Sequence, residues 1–219
     1  MSKLSAQQFL VIDDHEAILA GTVPALQQRY PTARITTAKD VHSAEQQILS
    51  YPPDLAIIDL SLPERPFSTA TAETGIRLIN RLMSSQNAPN IMVVSTNIKP
   101  LVRLKPAINA YEGGFVAIDK SLPVQDLLNS VDLALRGSTY LPPELRSRPE
   151  FDRKWLRVIQ LKYREGLSDK AIAQEMGISD RTVRNYWVRI QDTLGVADDP
   201  SRDVRIQIQM AARKAGLLN

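Results

Sequence analysis

The chain predicts an α/β protein, a doubly wound five-stranded parallel sheet followed by a small all-α domain. Two observations carry this prediction. Short apolar runs alternate with segments of helical periodicity through the first two thirds of the 219 residues, an order that builds a parallel sheet covered on both faces. Beyond a proline-rich stretch, every segment carries helical spacing and helix-capping residues.

The elements follow in order. Residues 9–12 (FLVI) form a short buried strand that ends in acid, and Ile18, Leu19, Val23 and Leu26 then recur at helical spacing. Residues 33–37 read as a second strand, and residues 43–50 as a helix stopped by Tyr51-Pro52-Pro53. Residues 55–58 are a third strand, again ending in acid at Asp59, and Ile76, Leu78, Ile79 and Leu82 mark a helix after Gly75. Residues 91–94 form a fourth strand ending at Ser95, and residues 115–118 a fifth leading to Lys120. The last helix of this part spans 124–135. Residues 1–136 are thus a first domain and residues 137–149, with three prolines and a glycine, a semi-stiff linker. In the second domain, 150–219, Asp152 can cap a first helix. Ser168 can cap 169–176 before Gly177, and Ser179 or Asp180 a helix to Leu194 before Gly195. Pro200 opens a fourth helix to about Ala215.

Composition narrows the chemistry. With no cysteine, the chain has no disulfide, thiolate metal site or cysteine nucleophile, and two histidines make a histidine-rich site improbable. No run of about 18 apolar residues exists to cross a membrane. The first apolar stretch is a strand rather than a signal peptide, so the cytoplasm is the expected compartment. The net charge of +3 hides a division. Up to Arg146 there are 13 basic and 14 acidic residues, and from Ser147 there are 14 and 10. The basic end suits a polyanion.

Doubly wound sheets carry their sites at the carboxyl ends of the strands. Asp13, Asp14, Asp59, Ser95 and Lys120 all fall there. Three carboxylates brought together repel unless a cation sits among them, and a hard divalent ion such as Mg²⁺ suits oxygen ligands. Phosphoryl transfer would use such a set, with Asp59 as nucleophile and Lys120 and Ser95 on the phosphoryl oxygens.

These residues resemble the receiver domain of bacterial two-component response regulators. The matching pieces are VIDDHE, IIDLSLP, VVST and IDKS, in order and at plausible spacing. The DDH start and the YLPPEL ending resemble the NarL/FixJ subfamily. The resemblance implies a flavodoxin-like receiver and a phospho-acceptor at Asp59. It implies Mg²⁺ held by Asp14, Asp59 and the carbonyl of Ser61, with Asp13 acting largely through water. Lys120 would contact the acyl phosphate and Ser95 would follow the phosphoryl group. The chain departs from the family in three places. A polar loop, 64–74, separates Pro63 from Gly75 at the expected pocket rim. Residues 97–109 carry Pro100 and Pro106, so the fourth helix should be short or start near Pro106. Ala117 stands where receivers place an aromatic residue.

EGLSDKAIAQEMGISDRTVRNYWVRIQDTLGV, 165–196, resembles the helix-turn-helix of LuxR-type regulators, with Gly177 in the turn. In that motif the second helix enters the major groove. The resemblance implies DNA contacts from Arg181, Arg184, Asn185 and Arg189, phosphate contacts from Thr182 and Lys170, and an apolar base contact from Val183. At least one of Tyr186 and Trp187 should pack instead. The last helix aligns with the family's dimerisation helix. Val204, Ile208 and Ala211 (or Ala212) form one stripe along it and Ile206 and Met210 another, and the first is the expected dimer contact.

The expected function is a DNA-binding transcriptional regulator, not an enzyme, phosphorylated on Asp59 by a sensor histidine kinase and binding promoter DNA as a homodimer, with no membrane partner. One alternative is a phosphorylation-independent regulator whose receiver serves dimerisation or protein docking. Another is a flavodoxin-like phosphohydrolase, which would leave the second domain unexplained.

Overall fold

The structure is a computed structural model and describes residues 6–146, 151–197 and 201–218, with the side chain of Glu144 excepted. It falls into two compact units: Met1–Ile98 with Ala107–Arg146, and Lys99–Pro106 with Ser147–Asn219.

In the first unit the strands are β1 (Gln8–Ile12), β2 (Arg34–Ala38), β3 (Leu55–Ile58), β4 (Asn90–Ser95), β5 (Phe115–Asp119) and β6 (Thr139–Tyr140). They form one sheet of order β2-β1-β3-β4-β5-β6, parallel throughout. The fold is the expected one with an additional edge strand. That strand lies inside the stretch read as linker, which also carries the short helix α6 (Pro143–Arg146). Linker residues 147–149 lie outside the described residues.

Helices α1 (Glu16–Arg29), α2 (Val41–Ser50), α3 (Ala72–Met83), α4 (Lys105–Asn109) and α5 (Val124–Leu135) connect the strands. Alternation along each strand sends one set of side chains to each face. Phe9, Val11, Ile57, Met92, Val94, Val116 and Ile118 pack with Leu19 and Leu26 of α1 and Leu127, Leu128 and Val131 of α5. The alternate strand residues, among them Leu10, Ile12, Ile58, Val93 and Phe115, are equally buried. As the two prolines suggested, α4 is only five residues long, and the chain before it (Lys99–Leu104) winds as a 3-10 helix.

The second unit contains α7 (Arg153–Tyr163), α8 (Asp169–Met176), α9 (Asp180–Leu194) and α10 (Val204–Lys214). Asp152, Ser168 and Ser179 cap the first three through side-chain oxygens. Gly177 (φ 62°) ends α8 in the left-handed conformation that a side chain resists, and so sets the turn into α9. The cap of α10 is Asp203, later than foreseen. Pro200 lies outside the described residues.

Candidate functional site

Strand order brings the acidic ends together. β1 lies between β2 and β3, so Asp13 and Asp14 leave the sheet beside Asp59 at the end of β3. The backbone N–H of Asp59 donates to Ile12 O (2.8 Å) and that of Asp13 to Ala38 O (3.0 Å), fixing both residues at the carboxyl end of the sheet. Gly75 lets α3 approach the same end. A Cβ there would stand 2.1 Å from Leu60 O.

Lys120, one residue past β5, reaches back across the site. Its Nζ lies 2.7 Å from Asp13 Oδ2 and 2.6 Å from Asp59 Oδ2, and its side chain is only 9% exposed. Burial alone would lower the lysine's pKa, but hydrogen bonds and charge from Asp13 and Asp59 outweigh it and hold the pKa above its ordinary value. Ser61 N–H donates to Asp59 Oδ1 at 3.1 Å. Ser95 is buried at the end of β4, where its hydroxyl accepts from Asn97 N–H (3.5 Å) and its carbonyl from Lys120 N–H (3.2 Å).

His15 completes the cluster and was missed in the sequence, although it follows directly in VIDDHE. Its Nδ1 lies 3.1 Å from Asp13 Oδ1 and 2.8 Å from Asp14 Oδ1. Asp13, Asp14, His15 and Asp59 each place one ligand atom within 4.8 Å of the others. Asp14 Oδ1 is shielded from solvent, and the His15 imidazole is its close polar neighbour. A pooled set of carboxylate oxygens within reach of one another fits a hard divalent cation.

The loop inserted after β3 is an ordered projection. Leu62 and Thr71 exchange backbone hydrogen bonds (3.3 and 3.1 Å) at its base. Val41 N–H and His42 N–H bond its Pro63 and Glu64 carbonyls (both 3.1 Å), and Arg77 pairs with Glu64. At its tip Phe67 is fully exposed with φ 67°. Ala117 is completely buried in β5, so only a methyl group occupies the expected aromatic position.

On α9, Arg181, Arg184, Asn185 and Arg189 are exposed, as is Lys170 on α8. Thr182 is half-buried and engaged in the cap, its hydroxyl 2.9 Å from Ser179 Oγ. Two expectations need correction. Val183 is fully buried and belongs to the core beneath α9, not to its outer edge. Ile208 is 1% exposed, with Val204 and Ala211 half-buried, so that stripe packs inward. The outward stripe of α10 is Ile206 (57% exposed) and Met210 (67%).

Beneath the arginines, Trp187 is buried at the meeting of four helices. Its Nε1–H donates to Asp169 Oδ1 (3.1 Å), and the Arg205 guanidinium lies 3.9 Å above its ring. Arg205 also donates to Asp169 Oδ2 (3.1 Å). The Tyr163 ring meets Trp187 edge-on at 5.9 Å, and its hydroxyl donates to Arg205 O at 2.6 Å. Burial pushes the Tyr163 phenol up to about 12 and lowers the Arg205 guanidinium against the opposing charge of Asp169.

A lysine reaching from the fifth strand to carboxylates of the first and third, ahead of a helix-turn-helix, defines the class of two-component response regulators. Residues 9–132 match the response regulator receiver domain, and residues 149–197 match a homeodomain-like domain. The first match spans more than half of the chain, which belongs to the response regulators, and its pairing of domains is the NarL/FixJ type. The chain is 26% identical over 214 residues to the transcriptional regulatory protein YdfI of Bacillus subtilis, covering 91% of this chain and 94% of that one. It is 25% identical over 202 residues to the fimbriae Z protein of Salmonella typhimurium, covering 85% and 90%. Its fold is similar to that of RcsB from Salmonella enterica serovar Typhimurium, solved bound to a promoter with the phosphomimetic BeF3⁻ (TM-score 0.56, 20% identity, 94% and 98% covered). No helix of the described residues is long and apolar enough to cross a membrane.

Proposed function

We propose that Asp59 is the phospho-acceptor, that a sensor histidine kinase supplies the phosphoryl group, and that the output is binding of promoter DNA by α9. The observation that carries this reading is the convergence of Asp13, Asp14, Asp59 and Lys120 in one pocket. An Asp59 carboxylate oxygen would form the new O–P bond as the donor's N–P bond breaks, and the donor imidazole would take a proton. Asp14, Asp59 and the Ser61 carbonyl would hold Mg²⁺, with Asp13 acting through water. When bound, the ion would neutralise carboxylate and phosphoryl charge. Lys120, already poised over Asp59, would hold a phosphoryl oxygen, and Ser95 would follow its arrival.

Incubation with a small phosphodonor and Mg²⁺ should label the wild type and not Asp59→Asn, and equal labelling would overturn the assignment. On DNA, Arg184, Asn185, Arg181 and Arg189 would read or clamp the groove, with Lys170 and Thr182 at phosphates. Pairing of two copies would use Ile206 and Met210, because these residues present the apolar face of α10 that its own domain leaves open. With a promoter as its target, the protein would act in the cytoplasm.

Buried Ala117 favours a second reading, in which the receiver signals without phosphorylation because it lacks the aromatic side chain that would follow Ser95. DNA binding by Asp59→Ala equal to wild type, with no phosphodonor effect, would select it.

A further inference from the structure

We infer that Arg205, Asp169 and Trp187 form a positioning device for sequence reading, which fixes the rotation of α9 and ties it to α10. This rests on α9 being the recognition helix. Apolar burial is non-directional, whereas hydrogen bonds and ring stacking fix an angle. The contacts at Trp187 are directional: an indole N–H on Asp169 Oδ1, a guanidinium over the ring, and the same guanidinium on Asp169 Oδ2. Indole, carboxylate and guanidinium thus close a ring of three contacts, and each helix of the trio contributes one member.

Such a device matters because base reading is intolerant of displacement. A rotation of about 10° moves a side-chain tip about 7 Å from the helix axis by about 1 Å, enough to spoil a bidentate hydrogen bond. Trp187 lies three residues after Arg184 and two before Arg189, so holding its ring holds both.

Arg205 is also the link to α10. Asp203 caps its backbone N–H at 2.7 Å, Tyr163 holds its carbonyl, and Ile206 follows at once on the open face. A shift of α10 on pairing would therefore reach Trp187 through one side chain. Since Asp169 already engages the guanidinium, Arg205 acts on α9 rather than on phosphate.

The test compares wild type, Arg205→Lys, Arg205→Met and Asp169→Asn in the two-domain chain. The probes are a duplex enriched by wild type from a random pool and an unselected random duplex. Arg205→Lys keeps the charge but loses the planar stack and fork. It should lower the ratio of the two affinities about tenfold, with the salt dependence unchanged and the melting temperature little moved. Asp169→Asn should lower the ratio likewise, because it frees the guanidinium, and its salt dependence should not become shallower. In a Trp155→Phe background, Trp187 fluorescence should change in both variants.

An unchanged ratio with a lowered melting temperature would overturn the proposal and leave a structural contact. Equal losses on both duplexes, with a shallower salt dependence for Arg205→Met, would make Arg205 a phosphate contact and overturn it too. If wild type enriches no sequence, the reading of α9 fails and the proposal fails with it.

Discussion

The two functional regions place their charges in opposite ways. At the carboxyl end of the sheet, Asp13 and Asp59 are buried and pair with Lys120, whose side chain is only 9% exposed. On α9 the arginines face water, and what is buried beneath them is Val183, Trp187 and Ile190. In the pocket, chemistry and packing are the same atoms, so a change to one is a change to the other. On the helix, chemistry lies outside and packing inside, and the two can be altered separately. The first arrangement suits a site that must hold a reactive group in one geometry, the second a surface that must meet a partner.

The sharpest way to break this contrast is to remove the pocket's cation. Lys120→Met leaves two buried carboxylates facing each other without their ammonium. A loss of about 3 kcal/mol in urea unfolding is expected, with added Mg²⁺ stabilising the variant more than the wild type. A loss below about 0.5 kcal/mol would mean that the pocket tolerates its charges as a surface does.

On α9, neighbouring residues should separate by role. Val183→Ala should cost about 2 kcal/mol as a core truncation. Arg184→Ala should stay within about 0.5 kcal/mol of wild type while weakening DNA binding. Unaltered affinity and sequence preference for Arg184→Ala would remove α9 from the recognition role. A smaller effect is expected at the helix start. Ser179→Ala should lose about 1 kcal/mol, because Thr182 N–H loses its acceptor.

The pocket was the more legible of the two regions in the sequence. Four acid-, serine- or lysine-terminated strands announce the site residues, and parallel topology leaves little choice about where they meet. His15 is not legible as part of the site, because a histidine after two aspartates reads equally well as a turn. In the helical unit the spacing on α10 yields two apolar stripes, and only the packing of the other helices decides that Ile208 turns inward and Ile206 outward. Val183 was misplaced for the same reason. The Trp187 cluster joins residues 18 apart on one side and Arg205 on the other, beyond any local pattern. A two-residue strand such as β6 has no periodicity to read, and its proline-rich neighbourhood argued for a linker.

The smallest effect asks whether burial, rather than membership of a domain, makes the difference. Asp132 on α5 belongs to the same unit as the pocket but is partly exposed, at 25%. It accepts from Tyr30 Oη (2.5 Å) and from Arg29 (2.7 Å), tying α5 to α1. Its pKa is lowered below the ordinary 3.8, first by the Tyr30 hydrogen bond, with Arg29 adding to this and burial opposing it. The Tyr30 phenol, pushed up to about 12 by burial and by the Asp132 carboxylate, stays a donor throughout the acid range. A depressed carboxylate stabilises the fold above its unfolded pKa, and the contribution fades as pH falls through the lower folded value. Asp132→Asn should therefore be slightly less stable than wild type near neutrality, by about 0.5 kcal/mol. The gap should hold down to about pH 4 and close below it. Urea unfolding at stepped pH reads this directly. A neutral-pH gap approaching that of Lys120→Met would mean that charge pairs throughout the receiver unit are costly to break, and the contrast would then lie between domains rather than between buried and open charges.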